Sequence, residues 1–197
     1  MLFVIALMAF LFPLAYSPGP GNMFFVALGA RFGTVATLSA NAGYHIATLV
    51  VTGLLGLGLV SAVHPGTSLF VGLKLAGSVY VMWLAWKLAT SGSTGAGMES
   101  GKAGFLDGVW LLLLNPKAYV IILMMYSQFG AMGPADLLAR VGVISLVFTL
   151  NNLLAFLLWT VAGDGLGRLF RSEAHARRLN LFFAAILAGV GFWMMLG

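Results

Sequence analysis

The sequence predicts an all-α polytopic membrane protein, six transmembrane helices forming two inverted three-helix repeats with the first and fourth helices broken. Three observations predict it. Hydrophobic residues make up 61% of the 197 and charged residues only 8%. A typical soluble domain carries about 25% charged residues, so this chain could not clothe a water-facing surface. The apolar residues also fall into runs long enough to cross a hydrocarbon core of ~30 Å, which takes about 20 residues each. Finally, two of those runs are interrupted in mid-course by proline, at SPGPGN (17–22) and at NPK (115–117).

The first run, 2–28, contains no charged residue. Inside it Pro18 and Pro20 lack an amide hydrogen, and each disfavours helical geometry in the residue before it. Gly19 and Gly21 add backbone freedom. One proline would suffice for a kink, so two prolines with two glycines predict a true interruption. A secretory leader over 1–17 is not expected, because no basic residue precedes the apolar stretch and the first charged residue is Arg31.

The second run, 35–62, carries Asn41 and His45 one turn apart and ends at His64-Pro65-Gly66. The third, about 68–90, has Lys74 and Lys87 near its two ends, where long side chains can reach headgroups. A polar stretch at 91–102 reads as a loop. The fourth run, 104–128, contains Asn115, Pro116 and Lys117, and a turn from Gly130 to Asp136 leads to the fifth, 138–162, with Asn151 and Asn152 inside it. The basic segment 163–178 is expected at the membrane interface, and the sixth run is 179–196.

The segments LAGSVYVMWL (75–84) and LAGVGFWMML (187–196) recur in the last span of each half, as the proline breaks recur in the first. The expected organisation is a repeat over 1–90, a cytoplasmic loop over 91–102 and a second repeat over 103–197. Three spans per unit force the two copies to enter the membrane from opposite sides, an architecture that recurs in secondary transporters. The loops after spans one, three and five hold Arg31, Lys87, Lys102, Arg168, Arg171, Arg177 and Arg178, whereas those after spans two and four hold only Lys74 and Arg140. Basic residues favour the cytoplasmic side, so both termini are expected outside.

Composition excludes several classes of function. The net charge of +5 is scattered through short loops with no basic, aromatic-laced stripe, so no nucleic-acid partner is expected. Zero cysteines exclude disulfides and thiol chemistry. No HExxH, GxSxG or Walker pattern is present, so no enzyme and no cofactor is expected. Sparse carboxylates argue against metal sites. Lys117 lies about 20 Å along its span at 1.5 Å per residue, and a lysine at that depth is by default functional. Its counter-ion is either a ligand carboxylate or the carbonyls freed by the broken helices, since Asp107 and Asp164 fall near predicted membrane ends. Asn41, His45 and Asn152 read either as helix-packing glue or as part of a site, and His45 alone among the buried groups would titrate near neutral pH.

At these motifs the chain resembles the LysE/RhtB family of amino-acid exporters. SPGPGN sits where the family places its first-span PGP motif. LKLAGSVYVMWLAWKL (73–88) is similar to the third-span pattern LK-x-x-G-x-x-YL, and AGFLDGVWLLLLNPKAYVIILMMYSQF (103–129) to the NPK segment with its following PQF. The chain departs from the family at Gly21-Asn22, where many members carry Asp after PGP, at Ser127, and at Tyr44-His45, where small apolar residues are common. The resemblance implies an exporter of amino acids or related metabolites in the bacterial inner membrane, working by exchange for protons. The substrate-binding residues are then expected to be Pro18, Gly19, Pro20, Asn22, Asn41, His45, Asn115, Pro116, Lys117 and Asn152, for a small zwitterion or anion. The alternatives are an exporter of metal ions or other small solutes, and a membrane scaffold that binds partners through Gly29/Gly33, Gly104/Gly108 and Gly163/Gly167. A homodimer is compatible with either kind of protein.

Overall fold

The structure, a computed structural model, describes residues 1–58, 67–90, 103–130, 137–169 and 173–196. The expected breaker run at 64–66, the 91–102 loop, Arg171 and all but the first residue of the 130–136 turn lie outside the described residues. The described residues form eight helices and no strand: α1 (Leu2–Tyr16), α2 (Pro20–Phe32), α3 (Thr34–Gly56), α4 (Ser68–Thr90), α5 (Phe105–Leu113), α6 (Pro116–Phe129), α7 (Leu137–Leu169) and α8 (Glu173–Leu196). Four helices are long and apolar enough to span a membrane alone. Two bent pairs, α1 with α2 and α5 with α6, bring the number to six if each pair is one span.

Both bends are 62°, and each follows from its proline motif. Ser17 and Gly19 are extended, and Pro20 opens α2 at its first turn, where a missing amide hydrogen costs nothing. In the second pair Asn115 is extended and Pro116 opens α6, while the Asn115 side chain accepts from the Lys117 amide at 3.2 Å. That is an N-cap bond, which offers one orphan donor of the new helix a partner.

The packing is inside-out relative to a soluble protein. Large apolar side chains such as Ile5, Leu54, Trp86 and Leu158 are exposed on the outside of the bundle, whereas Asn22, Asn41, His45, Asn115, Asn152 and Thr160 are buried. Against lipid this is the stable arrangement, because polar side chains inside the bundle find partners there.

Two expectations are corrected. The fifth helix does not end at 162, because α7 runs on as helix to Leu169. Gly163 and Gly167 lie against the Val26 and Ala30 carbonyls of α2, so close that a Cβ at either position would collide with backbone. Close packing along this seam compensates the low helix propensity that made GDGLG read as a loop. The same contacts remove the surfaces that a scaffold was expected to offer. Gly29 meets the Thr160 carbonyl and Gly108 the Ala40 carbonyl, so the small-residue faces are spent on packing within the chain. Gly33 adopts a positive φ of 81°, the turn between α2 and α3.

The α2–α3 turn is pinned from α7. Asp164 accepts from the Thr34 amide at 3.0 Å and the Thr34 hydroxyl at 2.8 Å, and it forms a forked ion pair with Arg168 at 2.8 and 2.9 Å. Arg31, Lys87 and Asp107 line one small cavity, which places the ends of the first and third spans at the same end of the bundle as the start of the fourth.

Candidate functional site

The two breaks meet through Lys117. Its ammonium donates to the Ser17 carbonyl at 2.7 Å, the Ser17 hydroxyl at 2.9 Å and the Pro18 carbonyl at 3.4 Å. The side chain lies over Gly19, where a Cβ would come within 2.7 Å of its Cδ. Of the two counter-ions the sequence allowed, the freed carbonyls are the ones in place. No carboxylate among the described residues approaches: Asp107 accepts from the Gly104 amide at 2.7 Å at the start of α5, and Asp164 is engaged by Thr34 and Arg168.

Three further carbonyls at the breaks also find donors, as burial away from water favours. The Ser17 hydroxyl donates to the Leu14 carbonyl at 3.0 Å, and Asn22 to the Ala15 carbonyl at 3.1 Å. At the second break the Tyr119 hydroxyl donates to the Leu113 carbonyl at 2.9 Å. Asn22 therefore belongs to the first break and Asn115 to the second, while Pro18, Gly19, Pro20 and Pro116 form the backbone of the two.

A buried polar cluster adjoins the breaks. Asn115 donates to the Tyr44 hydroxyl at 3.0 Å. The His45 Nδ1 lies 2.8 Å from the Asn41 carbonyl. A carbonyl can only accept, so this nitrogen carries the hydrogen and the Nε2 lone pair faces the Asn152 amide at 3.4 Å. Asn41 donates to the Thr160 hydroxyl at 3.4 Å, and its own Oδ1 is buried with no partner among the described residues. Orphaned acceptors of this kind are rare in folded proteins and call for an explanation.

All ten residues expected from the sequence thus fall at the two breaks or in the cluster between α3 and α7. Sequence reading missed four others: Ser17 as the principal acceptor for Lys117, Tyr44 as the partner of Asn115, Thr160, and Phe156. The Phe156 ring packs on Tyr44 at 4.6 Å and on His45 at 5.2 Å between centroids. Ser17 carried a signal, since it opens the SPGPGN motif, while an aromatic or threonine within an apolar span carries none.

Asn22, Tyr44, Asn115, Lys117, Asn152 and Phe156 line one central space of only about 10 Å³. That is no more than a water molecule needs, so the centre is closed in this conformation. One end is sealed along the α2–α7 glycine seam. At the other end the Tyr126 hydroxyl donates to the Thr52 carbonyl at 3.0 Å and lies 3.2 Å from the Ser145 hydroxyl. Among the described residues no three His, Asp or Glu converge as a metal site would require.

Comparison of the sequence with known proteins points to a family. The cysteine/O-acetylserine efflux proteins of Escherichia coli (strain K12), Shigella flexneri serotype 5b (strain 8401) and Shigella sonnei (strain Ss046) are each 28% identical to the chain over 174 residues, 88% of this chain and 87% of theirs. No solved structure matches the chain. The model of the LysE type translocator family matches residues 12–197, and a match of that extent, on a bundle whose two broken spans meet at one lysine, makes the chain a member of that family and a membrane exporter of the amino-acid type, not an enzyme.

Proposed function

We propose that the chain exports small neutral amino acids of the cysteine and O-acetylserine kind across the bacterial cytoplasmic membrane in exchange for protons. The reading places both termini outside and makes the two halves inverted repeats that rock about the breaks. The observation that carries it is the Lys117 ammonium, held at the meeting of the two broken spans by neutral oxygens alone among the described residues. A cation partnered only by dipoles can exchange them for a stronger acceptor, because charge-assisted bonds to a carboxylate are roughly twice as strong as neutral ones. The substrate carboxylate takes the place of the Ser17 and Pro18 oxygens on Lys117. Its ammonium then has the released carbonyls and the unpartnered Asn41 Oδ1 to meet, with Asn22 and Asn152 beside them.

The exchanged proton is assigned to His45. Its Nε2 is the free basic atom of a buried ring. Among the described residues the groups against the ring are the Asn41 carbonyl, the Asn152 amide, the Phe156 ring and the titratable Tyr44, and none carries a formal charge at neutral pH. Protonation at Nε2 would set two donors face to face until the Asn152 amide turns its oxygen inward, which couples the proton to a rearrangement of α3 against α7. Efflux of radiolabelled O-acetylserine from proteoliposomes, with and without an imposed proton gradient, tests the reading. Gradient-stimulated efflux supports it, and no efflux of any neutral amino acid contradicts it.

A further inference from the structure

A cavity of about 400 Å³ lies beside the second break, between the first span and α4, α6 and α8. Its walls are apolar, with Leu14, Phe70, Ile121 and Trp193 among them, apart from two side chains: Lys117 and Lys74 line it together. No carboxylate among the described residues does. The two lysines differ in their surroundings. The Lys117 ammonium is held by Ser17 and Pro18. Lys74 is half-buried, and its ammonium has no hydrogen-bond or ion-pair partner among the described residues. Lys74, expected from its place near a span end to reach for headgroups, stands on the wall of a cavity that runs back to the break.

Two lysines lining an apolar-walled cavity raise a positive potential that such walls focus, and withdrawing an ammonium from water is unfavourable unless a partner meets it. The volume is that of a small-molecule site. The cavity follows α6 from Pro116 through Val120 to Met124 and reaches the first turns of α4 at Phe70 and Lys74 and the last turn of α8 at Trp193 and Met194. By the distribution of basic residues those are the outer ends of their helices.

The geometry points to Lys74 as a second carboxylate-binding residue, an outer station that takes the exported amino acid's carboxylate from Lys117 and releases it outside. This rests on the reading of the chain as an amino-acid exporter. The apolar walls receive the side chain, while the cavity, unlike the closed centre, has room for a whole amino acid. An anionic lipid headgroup offers the same oxygen chemistry, and the two sources are separable by experiment.

Wild type, Lys74→Met and Lys74→Arg are reconstituted in vesicles of phosphatidylcholine alone and of phosphatidylcholine with phosphatidylglycerol, and efflux of loaded O-acetylserine is followed at equal inserted protein. The expected result is efflux about tenfold slower for Lys74→Met in both lipids, the equivalent of one ordinary charge-assisted contact, with most of the rate kept by Lys74→Arg. Wild-type efflux by Lys74→Met in both lipids overturns the outer station and leaves the exporter reading standing. A defect confined to vesicles with phosphatidylglycerol assigns the site to a lipid headgroup and overturns it too. Absence of efflux from the wild type sinks the exporter reading, and the station with it.

Discussion

The Lys117 ammonium of α6 donates to the Ser17 carbonyl across 2.7 Å, so the second broken span holds the break of the first. The first interruption is not satisfied by its own residues alone. The Ser17 carbonyl, left outside both helices at the first break, is the partner of a charge that the second half carries beside Pro116, and substrate binding at Lys117 must therefore be felt at both breaks.

The glycine seam gives a test of sign. Replacing a helical glycine by alanine ordinarily stabilises by about 0.5–1 kcal/mol. Gly163→Ala and Gly29→Ala should do the reverse, because the new methyl meets the Val26 or Thr160 carbonyl and overpacking of this kind costs about 1–3 kcal/mol. Gly142→Ala and Gly165→Ala, where a Cβ meets nothing within 4 Å, should be neutral or stabilising. Thermal unfolding in detergent compares the four, and a Gly163→Ala as stable as Gly165→Ala would rule out the close seam.

His45→Gln should uncouple transport without abolishing it. Glutamine keeps a donor and an acceptor but cannot take up a proton near neutral pH. Exchange of labelled for unlabelled O-acetylserine at equal pH should continue at a rate within about threefold of wild type, while stimulation by an acidic exterior should disappear. A His45→Gln protein that still responds to the gradient would move the proton to another residue.

The seven-to-two distribution of basic residues predicts that the 91–102 loop faces the cytoplasm. The chain has no native cysteine, so Ser93→Cys is a single reporter. It should resist an impermeant maleimide applied to intact cells and react in inverted vesicles. Labelling from the outside of intact cells would reverse the orientation, and the direction assigned to the Lys74 cavity with it.

Much of this architecture was legible in the sequence because proline and glycine act locally. The motifs 17–22 and 115–117 fix backbone that cannot remain helical whatever surrounds it, and both breaks lie where the motifs stand. The helical GDGLG segment of α7 was not legible, since glycine's local preference is overridden there by packing against α2, which no local pattern records. The same limit hid Tyr44, Phe156 and Thr160. In a span that is apolar on every side, periodicity does not separate the face turned to a site from the face turned to lipid. Lys117 was legible as a buried cation, and its two candidate partners were narrowed only when the Ser17 carbonyl was found against it.

The central claim, that Lys117 exchanges the oxygens of the first break for a substrate carboxylate, is tested most directly by efflux of loaded O-acetylserine from proteoliposomes carrying wild type or Lys117→Met. A hydrogen bond to a charged group contributes about 1.5–3 kcal/mol, so the variant should export at least about tenfold more slowly at equal insertion and with unfolding temperature little changed. Export at the wild-type rate by correctly inserted Lys117→Met would contradict the account.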